Sequence, residues 1–143
     1  MPDERRETIR PATETDIPRL ATLFETVFGQ RRDERIWRWK YFDPLRSSLS
    51  VVCEAAGTIV AHCGGVAVEF VDHGKRYAAY QLVDFMSTRA YAGGVGAGGI
   101  FVRTADWFFR HAREMGVKWV YWFPGERHRL VGQRLLGYPA LEP

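Results

Sequence analysis

Several features that would assign the chain to a special class are scarce here, and each scarcity narrows the field. Two cysteines, Cys53 and Cys63, are too few for a disulfide-stapled fold. They lie in neighbouring strand-like runs and read as buried reduced thiols rather than as a disulfide or a metal pair. His62, His73, His111 and His128 show no metal-ligand spacing, so each reads as a surface or satisfied core residue. No apolar run approaches the length of a membrane span, and Met1-Pro2-Asp3-Glu4-Arg5-Arg6 is not a signal peptide, so the expected compartment is the cytoplasm. Charge of one sign is also scarce. Lys and Arg number 20 against 17 Asp and Glu, a net +3 without a long basic run, which gives no footprint for nucleic acid.

What is present is ordinary globular composition, 46% hydrophobic and 26% charged over 143 residues, enough for one domain with a real core. Thr8–Arg10 reads as a first strand. Thr13-Glu14-Thr15-Asp16 supplies N-cap candidates for a helix with apolar positions at Ile17, Leu20, Phe24, Val27 and Phe28, and Gly29 is its stop. After a charged link, Gln30 to Arg32, Asp33–Phe42 reads as a second helix whose dense aromatic residues belong to the core, and Asp43-Pro44 ends it. From Leu49 the period becomes two. Leu49–Glu54, Thr58–Val71 and Arg76–Ser87 read as three antiparallel strands, joined by turns at Ala56-Gly57 and Asp72-His73-Gly74-Lys75. Ile100–Met115 is a helix with one apolar stripe, closed by Gly116. Val117–Phe123 is a nearly continuous apolar strand of the kind buried on both faces, and Glu126–Leu136 is a last helix.

Between the fourth strand and the third long helix lies Gly93–Gly99, GGVGAGG, where five of seven residues are Gly. A loop that leaves a strand and opens a helix gathers unpaired N–H groups and the positive end of the helix dipole at one point, so it suits a phosphate-bearing ligand. A P-loop would need Gly-Lys-Ser/Thr at the end, but Gly99 is followed by Ile100-Phe101. The dinucleotide pattern G-x-G-x-x-G is met by Gly94, Gly96 and Gly99. Three antiparallel strands ahead of the loop do not fit a doubly wound fold, however, and the next strand ends Trp122-Phe123-Pro124 without the acidic residue that pattern needs. Two further readings stay open: a flexible surface turn, and an acyl-CoA pyrophosphate loop, which depends on the rest of the chain.

The order of elements, with these residues, resembles the GNAT N-acetyltransferase superfamily over nearly the whole chain. Ile9-Arg10-Pro11-Ala12-Thr13 with Asp16-Ile17 is similar to the family's opening strand and helix. Val83-Asp84-Phe85-Met86-Ser87 is similar to its central strand, Val120-Tyr121-Trp122-Phe123-Pro124 to its fifth, and Leu135-Leu136-Gly137-Tyr138 to the "LGF" after its last common helix. Trp37-Arg38-Trp39-Lys40-Tyr41 with Asp43-Pro44 resembles an Eis-like subgroup. The resemblance implies an α/β (α+β) fold: a mixed, mostly antiparallel central sheet with a splayed strand pair and flanking helices. It implies acetyl-CoA as co-substrate, with its pantetheine arm on Phe85, Met86 and Ser87. Its pyrophosphate would lie on Gly94, Val95, Gly96, Ala97, Gly98, Gly99 and Ile100. The implied reaction is acetyl transfer to an amine of a small-molecule or peptide acceptor. The alternative is a GNAT-like domain that binds CoA, or keeps only the fold, without the chemistry.

Three departures bear on that implication. The basic or amide position of the family's loop falls on Gly94, so Arg89 or Arg103 is the candidate stand-in. The position of the family's proton-donating Tyr is Gln133, leaving Tyr121 or Tyr138 as replacement acids. An attacking amine must lose a proton, so a carboxylate near the acyl end is wanted as base; Asp84 is the first choice and Glu69 the second. Finally, GNAT domains continue past "LGF" with two more strands. Residues 1–143 are therefore expected to be a single, C-terminally truncated GNAT-like domain, its apolar fifth strand covered by a partner subunit, a swapped segment or an extension.

Overall fold

The computed structural model describes residues 7–89 and 98–141. Five strands, β1 (Glu7–Pro11), β2 (Leu49–Ala55), β3 (Thr58–Asp72), β4 (Lys75–Ser87) and β5 (Trp119–Trp122), form one sheet in chain order. All neighbours are antiparallel except β4 and β5, which run parallel. Helices α1 (Ile17–Phe28) and α2 (Glu34–Tyr41) cover one face; α3 (Ile100–Glu114) and α4 (Glu126–Leu135) cover the other. The mixed, mostly antiparallel sheet with flanking helices is the expected class.

Local chemistry explains where the elements begin and end. The buried Asp16 carboxylate accepts from the Thr13 backbone N–H at 2.9 Å and from Arg10 at 2.7 and 3.0 Å, tying the start of α1 to β1. Arg10 also reaches Glu54 on β2 at 2.8 Å. Gly29 ends α1 in the left-handed region, φ 70°, which costs a residue without Cβ little. Asp33 caps α2 by accepting from the Arg35 N–H at 2.8 Å. Trp37 and Tyr41, one turn apart, are both buried, and they join Ile17, Leu20, Met86 and Val52 in the core on that face. On the other face Val51, Cys63, Tyr80, Leu82 and Phe85 pack against Ala105 and Phe108 of α3.

The fifth strand departs from the sequence reading. It is shorter than Val117–Phe123, and among the described residues it pairs only with β4 and forms the sheet edge. Trp119 is 62% and Phe123 79% exposed, so the run is not buried on both faces. Its aromatic residues serve instead at the junction with β4 and α4, where Trp122 meets Phe85 and Tyr138.

Candidate active site

Two features of β4 build the site. The first is a bulge. Gly64 of β3 stands opposite Val83 and His62 opposite Met86, so β4 spends one more residue than β3 over the same span. The extra residue shifts the alternation, placing Leu82 and Phe85 on the α3 face and Met86 on the α1 face. At the bulge Asp84 adopts φ 53°, a region L residues visit rarely outside turns. The second feature is a splay. The β4–β5 register ends at Leu82 opposite Trp122, while β4 continues along β3 to Ser87. On the side facing β5, the main-chain groups of Val83–Ser87 therefore have no strand partner among the described residues.

The strained bulge is held by side chains from distant segments. The Asp84 carboxylate accepts from Arg32 Nη1 at 2.7 Å, Lys40 Nζ at 2.9 Å and Tyr41 Oη at 2.7 Å. Its backbone carbonyl accepts from His62 Nδ1 at 2.6 Å, which fixes the tautomer; Ser50 Oγ, 2.8 Å from His62 Nε2, is then the donor. Burial alone would push the Asp84 carboxyl up, but Lys40 and Arg32 more than offset it and hold it at about 2. Burial pushes the His62 imidazole down, so it stays neutral, and drives the Tyr41 phenol well up with help from the neighbouring carboxylate. Gly64 makes the room, since a Cβ there would lie 2.1 Å from Tyr41 Oη.

These properties bear on the expected base. Both Asp84 oxygens already take donors, and a carboxyl near 2 has little affinity for a proton at neutral pH; the arrangement is that of a fixed anion. Glu69 stands opposite Ala78, before the first β4–β5 pair at Ala79–Trp119, whereas the splay opens after Leu82; it is exposed and pairs with Arg76. The structure does not bring Glu69 together with Asp84. Ser50, His62 and Asp84 share the residue types of a hydrolase triad but not its wiring, because His62 meets the Asp84 carbonyl and not its carboxylate.

On the α3 side of the splay lies an aromatic slab. Phe85 stacks on Phe101 with centroids 3.7 Å apart, and the His128 ring stacks on Phe101 and Trp122 at 5.3 and 5.7 Å. Met86 is buried against α1 and Ser87 is half-buried. Gly94, Val95, Gly96 and Ala97 lie outside the described residues. Gly99 is the N-cap of α3 with no side-chain cap, and the first turn carries no acidic residue. Ile100 is buried, and a Cβ on Gly98 would meet nothing within 4 Å among the described residues. Arg103 donates to the Gly98 carbonyl at 2.9 Å and pairs with Glu7; Arg89 is exposed. Of the replacement acids, the Tyr138 hydroxyl is buried with no partner among the described residues, and Tyr121 reaches Gln81 only at 3.4 Å. Gln133 sits in α4. Among the described residues no His/Cys/Asp/Glu group could hold a metal, and no helix is long and apolar enough to cross a membrane.

The sequence reading missed Arg32, Lys40, Tyr41 and Gly64 as parts of one site. The available signals were the Gly64-Gly65 pair inside a strand, which marks a close approach, and the one-turn spacing of Trp37 and Tyr41.

Solved structures share this architecture. A predicted acetyltransferase from Clostridium acetobutylicum, determined with acetyl-CoA, superposes with a TM-score of 0.73 at 15% identity, covering 96% of this chain and 92% of the other. An aminoglycoside N-acetyltransferase in complex with CoA gives 0.76 at 12% identity, covering 100% and 94%. Glucosamine-6-phosphate N-acetyltransferase from Arabidopsis thaliana gives 0.71 at 17%, covering 96% and 95%. No curated protein matches in sequence. The model of the acetyltransferase (GNAT) domain matches residues 8–132, most of the chain. The chain belongs to the GNAT acetyltransferase family.

Proposed function

We propose that this protein transfers an acetyl group from acetyl-CoA to an amine of a small-molecule acceptor, with the co-substrate lying in the splay between β4 and β5. The observation that carries this reading is the side of Val83–Ser87 that has no strand partner among the described residues, running toward the N-terminus of α3, whose N-cap is Gly99. Main-chain groups left without a strand partner suit a ligand that carries amides of its own, as a pantetheine arm does. The N–H groups of the first turn of α3 suit its phosphates, and no described residue comes within 4 Å of a Cβ placed on Gly98, which favours close approach. In this orientation the thioester falls at the closed end of the splay, beside Asp84.

The acceptor nitrogen then attacks the thioester carbonyl carbon, the C–S bond breaks, and CoA leaves as a thiol after taking up a proton. The nitrogen gives up its proton to solvent or to a group of the acceptor pocket. Asp84 positions rather than abstracts: its clamp keeps the bulge turned so that β4 presents its free edge to the ligand. A thiol-reactive dye that reports free CoA tests the reading. Release that depends on an added amine, with a mass increase of one acetyl group on that amine, is expected. Acetyl-CoA binding with no amine-dependent release would reduce the protein to a binding module.

A further inference from the structure

The clamp around Asp84 is not electrically balanced. One carboxylate faces a guanidinium and an ammonium, while Tyr41 and the buried His62 are neutral, so −1 and +2 leave one positive charge in excess. Both cations carry several N–H donors, and among the described residues one from each goes to Asp84 with no other acceptor taking the rest. The ring neighbours of Arg32, Phe24 at 3.9 Å and Trp37 at 5.0 Å, offer only π faces. The Asp84 side chain is 6% exposed, whereas Arg32 and Lys40 keep 19% and 18% of theirs exposed, so the two cations lie nearer the surface of the cluster than the carboxylate.

Position gives this excess a role. Arg32 belongs to the link between α1 and α2, Lys40 to α2, and Asp84 to the bulge just past the closing pair Leu82–Trp122. The spare charge thus sits on the α1/α2 side of the closed end of the splay, opposite the α3/α4 side. Resting on the transfer reading above, we propose that the acceptor carries an anionic oxygen group, a carboxylate or a phosphate, close to its amine, and that Arg32 and Lys40 bind it. Charge-assisted hydrogen bonds in a partly desolvated site are the stronger class, and a guanidinium fork matches both oxygen groups. The same field disfavours a protonated amine beside it, so it favours the neutral nucleophile and opposes a polycationic acceptor.

Steady-state CoA release by the 143-residue chain tests this with matched acceptors: glucosamine 6-phosphate against glucosamine, a free amino acid against its amide, and an aminoglycoside. The anionic member of at least one pair should have a kcat/KM about tenfold higher or more, carried mainly by KM, and which pair responds separates phosphate from carboxylate. Arg32→Gln and Lys40→Gln should erase most of that advantage, lowering kcat/KM for the anionic member of the responding pair at least about fivefold more than for its neutral partner. The panel on the unmodified chain needs no variant to fold. Equal or better use of the neutral partners or the aminoglycoside would overturn the inference, as would variants that keep the discrimination or acetyl-CoA binding with transfer to none of these amines. Loss of this preference with amine-dependent release intact leaves the transfer reading standing; failure of acetyl-CoA to bind removes both.

Discussion

Replacing Gly64 by alanine should be among the most damaging single-methyl additions available to this protein, and the reason lies in the clamp. A Cβ at Gly64 would stand 2.1 Å from Tyr41 Oη, 2.7 Å from Tyr41 Cζ and 2.9 Å from His62 Cε1. Tyr41 has little room to retreat: it is 5% exposed, and its ring lies 5.9 Å from Trp37 and 5.4 Å from His62. Overpacking of this kind costs about 1–3 kcal/mol. Displacing the phenol also breaks its 2.7 Å bond to the Asp84 carboxylate, a further loss of about 1.5–3 kcal/mol. We predict that Gly64→Ala loses about 3–5 kcal/mol, a fall in Tm of roughly 10–17 °C for a chain of this size. Urea denaturation followed by circular dichroism should show a lower midpoint with an unchanged slope. Tyr41→Phe alone loses only the hydrogen bond, about 2 kcal/mol. Because the hydroxyl makes the closest contact, the double variant should lose less than the sum of the two single losses. A Gly64→Ala protein within about 0.5 kcal/mol of the parent, or strict additivity in the double variant, would refute the clamp as drawn.

Gly98→Val should weaken CoA binding at least about tenfold with no measurable loss of stability, since its Cβ meets no atom of the described residues but would enter the space assigned to the phosphates; unchanged affinity by calorimetry would move the phosphate elsewhere. Stability should fall in acid. The Asp84 carboxyl is depressed in the folded state, from an ordinary 3.8 to about 2, so its contribution is present above the unfolded value and is lost as pH falls through that window. That loss amounts to roughly 2 kcal/mol in denaturation measured between pH 5 and pH 2, and Asp84→Asn should abolish this part of the dependence. The same variant should lower kcat at every pH without removing an ionisation from the kcat profile, because Asp84 is already charged throughout the neutral range. Loss of an acid limb near neutrality would restore Asp84 as the base.

Much of this fold was legible in the sequence because its signals are local. The apolar spacing of Ile17, Leu20 and Phe24, the stop at Gly29 and the cap at Asp33 each act within a few residues, and the helices begin and end close to where they indicate. The change to period two at Leu49 and the Asp72–Lys75 turn likewise placed the three antiparallel strands. The fifth strand misled because an apolar run looks the same whether both faces are covered or, as at Trp119, one stands open at an edge. The site was only half visible. Asp84 could be singled out as a carboxylate in β4, the strand proposed to hold the co-substrate, but its bonding partners come from 43, 44 and 52 positions away. No local pattern reveals whether a carboxylate is a poised base or one already held by two cations and a phenol. The bulge is hidden for a similar reason, since it exists only in the register between two strands.

The central claim is that the gap between β4 and β5, with the start of α3, is a site for acetyl-CoA. Its most direct test is a thermal-shift titration of the 143-residue chain with acetyl-CoA, CoA and NAD in parallel. At a hundred times its dissociation constant a ligand of the folded state adds about 2.7 kcal/mol, which raises Tm by several degrees in a domain of this size. Stabilisation by acetyl-CoA and by CoA, and none by NAD, is the predicted result. A rise with NAD alone, or no rise with either CoA species at millimolar concentration, would contradict it.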